Sequence, residues 1–111
     1  MKRVDYKQFE EIEIRVGRVV RAEDFLKARR PAYRLWIDFG DLGVKKTSAQ
    51  ITDLYGREEL VGRQVVAVVN FPPRQVADFQ SEVLVLAAVL DTGEAVLLRP
   101  DSDVPPGCRV L

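Results

Sequence analysis

EEIEIRVGRVVRA, residues 10 to 22, is the stretch on which the fold turns. Ile12, Ile14 and Val16 alternate with Glu11, Glu13 and Arg15, the period of two expected of a half-buried β-strand. After Gly17 the apolar parity slips, because Val19 follows Val16 by three positions. A glycine at such a slip predicts a bulge or sharp bend, the device that lets a strand turn the corner of a barrel.

Outward from this strand the pattern repeats. In AYRLWIDFG (32–40), Tyr33, Leu35, Ile37 and Phe39 share one face, while Arg34, Trp36 and Asp38 share the other. VKKTSAQI (44–51) is a third, more polar strand. Residues 64–69 are nearly all apolar and β-branched, as expected of a central strand buried on both sides, and 81–89 reads as another. ITDLYGREELVGR (51–63) holds a helical turn or two, stopped by Gly62. Upstream, Asp5 and Gln8 form a capping-box pair for a short helix with Tyr6 and Phe9 on one face. Five strands with a helix between the third and fourth predict an all-β chain with short helices, a five-stranded Greek-key barrel of the OB type. Downstream, DTG is a turn, AVLLR a further strand and DSDVPPG a loop. These pieces exceed what the barrel needs. Together with the first helix they are expected to pack outside it, as N- and C-terminal extensions forming a homodimer interface. Residues 1–111 are read as a single domain.

Composition narrows the chemistry. The chain has 17 basic and 17 acidic residues, so the general basic excess of nucleic-acid binders is absent and any such role must rest on a local patch. It has no histidine and one cysteine, Cys108, which removes the commonest general base and zinc ligand and excludes an internal disulfide. Ser48 and Ser81 have no histidine to activate them, and no phosphate-cradling glycine motif is present. The expectation is a binding module without catalytic residues, metal or cofactor. With no signal peptide or membrane-spanning run, it is placed in the cytoplasm.

EIRVGRVVRAE (13–23) and the long segment 48–88, which contains ELVGRQVVAVVNFPPR, together resemble the tRNA-binding domain family. Within that family IDFG (37–40), KKTSAQIT (45–52) and VVNFPPRQVADFQSEVLVL (68–86) are most similar to the export-associated chaperone subgroup, CsaA. The resemblance implies an OB-fold and a homodimer. It also implies ATP-independent binding of unfolded or precursor polypeptides for export, with the export machinery as a further partner, or else structure-specific binding of tRNA on the same barrel face. Two departures matter. Phe71-Pro-Pro-Arg stands where tRNA-binding relatives carry a lysine, and Val83-Leu84 replaces their Gly-Met, both favouring an apolar ligand.

In an OB barrel the ligand face lies across the second and third strands and the loops beside them. Trp36 on that face stacks on a ligand or is covered by the tail or a partner subunit. Lys46, Ser48 and Gln50 form one polar row at period two. Further basic candidates are Arg15, Lys45, Arg29 and Arg30. The linker after the fourth strand is the strongest candidate. Pro72 and Pro73 stiffen the backbone that presents Phe71 and Arg74, Asn70 offers its amide to a backbone or ligand edge, and Phe79 and Ser81 frame the return. A rigid set of aromatic, amide and guanidinium groups suits an extended polypeptide, with Glu82 expected to pair with Arg74. The competing possibility is that Phe71 and Phe79 close the end of the barrel.

Overall fold

The computed structural model describes residues 1–111. Its strands are β1 (Ile14–Asp24), β2 (Tyr33–Asp38), β3 (Val44–Ala49), β4 (Gln64–Val68), β5 (Arg74–Val76), β6 (Phe79–Ser81), β7 (Leu84–Val85), β8 (Ala87–Val89) and β9 (Ala95–Leu97). The helices are α1 (Tyr6–Glu10) and α2 (Arg57–Leu60). An antiparallel sheet in the order β3-β2-β1-β4-β7 curls into a nearly closed five-stranded barrel. As the β2 pattern predicts, Leu35, Ile37 and Phe39 are fully buried in its core, beside Val19, Val65 and Ala67.

Gly17 is not the bulge. The register of β1 against β2 shifts between Val19 and Arg21, which leaves the exposed Val20 as the extra residue. Gly17 instead makes room: a Cβ there would lie 2.4 Å from Ile37 Cγ2 and 2.7 Å from the Phe39 ring. The core face of β1 therefore carries Gly17, Val19 and, past the bulge, Ala22. Ile14 and Val16 pair with Val68 and Val66, on the side away from Val65 and Ala67. Arg18 and Gln64 share that outer side. Gln64 donates to the Val104 carbonyl and accepts its N–H, while Arg18 reaches Asp103 at 3.4 Å. Residues 103–104 thus lie across the outer face, and Arg109 continues the tail as an antiparallel bridge to Arg15.

All five residues of β4 are buried, as expected of a central strand. The stretch 81–89, in contrast, is not one buried strand. It breaks into β6, β7 and β8, with Leu84 and Val89 exposed, because the backbone at Glu82 turns aside to bond β3. β8 pairs with β9 around Gly93, whose φ of +93° suits only glycine. Helix α2 begins at Gly56, whose N–H donates to Glu59 (2.7 Å), and stops at Gly62 (φ +92°); its Leu60 is fully buried in the barrel core. Gln8 accepts the Asp5 N–H at 2.9 Å, as the capping pair predicts, yet no residue of α1 is buried and Tyr6 is open to solvent.

Candidate ligand-binding groove

The linker after β4 is not a plain loop. Residues 74–81 form a hairpin in which Arg74 faces Ser81 and Val76 faces Phe79 around a two-residue turn, Ala77-Asp78. Ala77 has a φ of +52°, the only non-glycine residue in the left-handed region. The hairpin folds back over the outer face of β2 and β3. Phe79, almost fully buried, packs edge-on against Phe25 (5.5 Å between ring centres) and Trp36 (6.1 Å). Arg34 and Lys46 approach the Phe79 ring at 5.9 and 5.1 Å, and Arg21 covers Trp36 at 4.6 Å. Trp36 is therefore half-buried behind the hairpin, and Phe79 is a packing residue, but it packs with Phe25 and Ala32 on the outer face of the sheet and does not close the end of the barrel. Phe71 differs: it remains exposed.

Side-chain hydrogen bonds close the barrel between β3 and the chain entering β7. The Ser48 N–H donates to Ser81 Oγ (3.1 Å). The Ser81 hydroxyl can in turn donate to Thr47 Oγ1 (2.8 Å), and Thr47 donates to the Val83 carbonyl (2.7 Å). Alongside, Glu82 accepts the Lys46 N–H through Oε1 (2.9 Å) and returns its own N–H to the Lys46 carbonyl (2.8 Å). The expected pairing of Glu82 with Arg74 is thus not formed; the carboxylate holds a sheet edge whose N–H would otherwise lack a partner. Asn70 likewise uses its amide on the chain's own backbone, accepting from Glu13 N–H (2.8 Å) and donating to Glu11 carbonyl (2.7 Å).

These constraints leave a groove of about 1100 Å³. One wall is the loop between β1 and β2, with Arg29 and Arg30; the floor carries Ser48 and Gln50 at the end of β3. The other wall is Phe71, Pro72, Arg74 and Val76, and the exit runs along Ser81 to Val85. Lys27 reaches across to Asp78 at 2.7 Å, tying the loop to the hairpin tip. That hydrogen bond, with the positive charges of Lys27 and Arg34 added, holds the Asp78 carboxyl below its ordinary 3.8. Of the residues singled out in the sequence, Arg29, Arg30, Ser48, Gln50, Phe71 and Arg74 line the groove, as do Ser81 and Glu82. Trp36, Lys46 and Phe79 form the packed layer beside it. Arg15 lies elsewhere, donating to Glu13 and to the Gly107 carbonyl, and neither Lys45 nor Asn70 lines the groove. The apolar contributions of Val76, Leu84 and Val85 were missed; the exposure of Leu84 and Val85 depends on how 81–89 breaks. Val76 could have been found from the period-two match of Arg74–Val76 to Phe79–Ser81.

The chain belongs to the family described as "Putative tRNA binding domain", which it matches over residues 14–109. Within it, the chain is similar along its length to two solved structures of chaperone CsaA. The one from Bacillus anthracis is 50% identical with a TM-score of 0.95, covering 99% of this chain and 100% of that one. The one from Picrophilus torridus is 47% identical with a TM-score of 0.92, covering 98% and 100%. Among curated proteins, the methionine–tRNA ligase of Methanothrix thermoacetophila is 40% identical over 96% of this chain, but the chain spans only 15% of that enzyme's length.

Proposed function

We propose that the protein is a chaperone of the CsaA type, a non-catalytic, ATP-independent module that holds unfolded or precursor polypeptides in the groove beside Phe71. The observation that carries this reading is the contrast between the two aromatic groups. Single-stranded nucleic acid is usually held by aromatic rings open on the sheet face for base stacking. Here Phe79 is buried and Trp36 half-buried beneath the hairpin, while the exposed ring, Phe71, stands on a proline-stiffened wall of a groove whose apolar lining continues through Val76, Val83, Leu84 and Val85. A concave apolar surface with a few polar groups suits side chains of an extended polypeptide. The whole-length likeness to the CsaA chaperones supports the same assignment. A cytoplasmic homodimer, joined through extensions such as the open face of α1, would present two grooves to one long client and gain avidity, with delivery to the export machinery as its setting.

Structure-specific tRNA binding is the second reading, favoured by the family match and by exposed Arg29, Arg30 and Arg74 beside the groove. Titrating the protein with an unfolded, carboxymethylated polypeptide and with tRNA, at low and high salt, separates the two. Phosphate contacts weaken steeply with salt, whereas apolar capture persists. Polypeptide binding that survives high salt and weakens about tenfold or more in Phe71→Ala is the expected result. Tight, salt-sensitive tRNA binding with no polypeptide response would overturn it.

A further inference from the structure

We infer that the groove selects extended segments in which carboxylate side chains alternate with apolar ones, and disfavours segments with basic residues in those places. This deepens the polypeptide reading above and rests on it. The chain as a whole is neutral, yet the charged side chains lining the groove are Lys27, Arg29, Arg30 and Arg74 against a single acid, Glu82. Glu82 is held by the Lys46 backbone and Lys27 by Asp78.

The three arginines stand apart from most others in the molecule. Arg15 and Arg109 pair with Glu13, Arg18 with Asp103, Arg21 and Arg34 with Glu23, and Arg57 with Asp24. Arg29, Arg30 and Arg74 are exposed and have no carboxylate or other side-chain partner. They stand on the two walls of a concavity whose apolar surface comes from Phe71, Pro72, Val76, Val83, Leu84 and Val85. Low-dielectric walls focus the field of such charges into the cleft. A carboxylate arriving there gains charge-assisted, bidentate hydrogen bonds to a guanidinium, while an ammonium meets like charges. An extended chain projects successive side chains to opposite sides. A segment alternating apolar and acidic residues can therefore turn one set to the apolar side chains of the wall and exit and the other to the arginines.

The test uses the full chain and two fluorescein-labelled peptides with identical apolar residues, one alternating them with Glu and the other with Lys. Fluorescence anisotropy at low salt should show the Glu peptide binding about tenfold tighter or better, and the gap should close at high salt, where charges farther apart than roughly 3–5 Å are screened. Arg74→Glu, and separately Arg29→Glu with Arg30→Glu, should shrink or reverse the preference; circular dichroism confirms that each variant is folded. Phe71→Ala should weaken both peptides without changing their ratio. Equal affinities, or a preference for Lys, would overturn the charge selection and leave polypeptide binding standing. If neither peptide binds while tRNA does, or nothing binds, the polypeptide reading falls and this inference with it.

Discussion

Thr47 shows most clearly how a single side chain can decide closure. It is fully buried, shares a hydrogen bond with the Ser81 hydroxyl and donates to the Val83 carbonyl, at the end of a relay that starts at the Ser48 N–H. Each member polarises the next, so the relay is strongest when complete. Thr47→Val keeps the shape and removes the hydroxyl, leaving a buried donor and a buried acceptor without partners. The expected loss is about 1–3 kcal/mol, read as a fall in Tm on the order of 5 °C. Thr47→Ser keeps the hydroxyl and loses only a methyl group, so it should retain more stability. Equal losses in the two variants would show that packing, and not the relay, holds β3 to the entry of β7. In the sequence, Ser81 and Glu82 looked like ligand groups because a polar residue near a binding face has the same composition whether or not it also staples a strand. Their partners in β3 lie more than thirty residues away, and one chain's spacing does not reveal them.

The hairpin formed by β5 and β6 is the element that converts an ordinary barrel end into a groove. Its tip carries a strained residue: Ala77 has positive φ at the first position of a two-residue turn, the position glycine prefers when the second residue keeps a negative φ. An alanine in the left-handed region costs roughly 1–2 kcal/mol, and glycine gives back about 0.4–1 kcal/mol through the entropy of the unfolded chain. Ala77→Gly should therefore stabilise the protein by about 0.5 kcal/mol, a rise in Tm of roughly 2–3 °C. A fall in Tm would mean that the Ala77 methyl packs usefully in the groove wall and outweighs the strain. The hairpin was partly legible: Pro72, Pro73, Phe71 and Arg74 marked the segment, but no Asn-Gly or Asp-Gly pair announced the turn. The β2 face was wholly legible, because Tyr33, Leu35, Ile37 and Phe39 keep strict alternation into the core. β1 was legible as a strand and misread in detail, since a glycine needed for space under Phe39 leaves the same trace as one needed for a bulge.

At the scale of the whole molecule, two carboxylates join segments distant in the sequence. Glu13 holds the start of β1 to the tail: Arg15 donates to it at 3.1 and 2.6 Å, and Arg109 lies 3.3 Å from its other oxygen. Chiefly through the Arg15 hydrogen bonds, and against a smaller desolvation effect, its carboxyl is held below its ordinary 4.5. Asp78, hydrogen-bonded by Lys27, is held below 3.8 and ties the groove's two walls. A carboxyl with a depressed pKa in the folded state binds fewer protons there than in the unfolded chain just below its ordinary value, so stability rises with pH across that window. The contribution of both groups is complete above the ordinary 4.5 of Glu13 and is lost as pH falls through the two depressed values. Thermal unfolding followed by circular dichroism should show Tm falling with acid below about pH 4.5. The Glu13→Gln, Asp78→Asn double variant should start lower at neutral pH and fall less steeply. Groove and tail should separate on this axis: Asp78→Asn alone should loosen the Lys27 contact and raise amide exchange at the hairpin tip, whereas Glu13→Gln alone should do so at residues 107–110. A double variant with the wild-type acid slope would show that other carboxylates set the acid response, and that neither clamp holds its segments together.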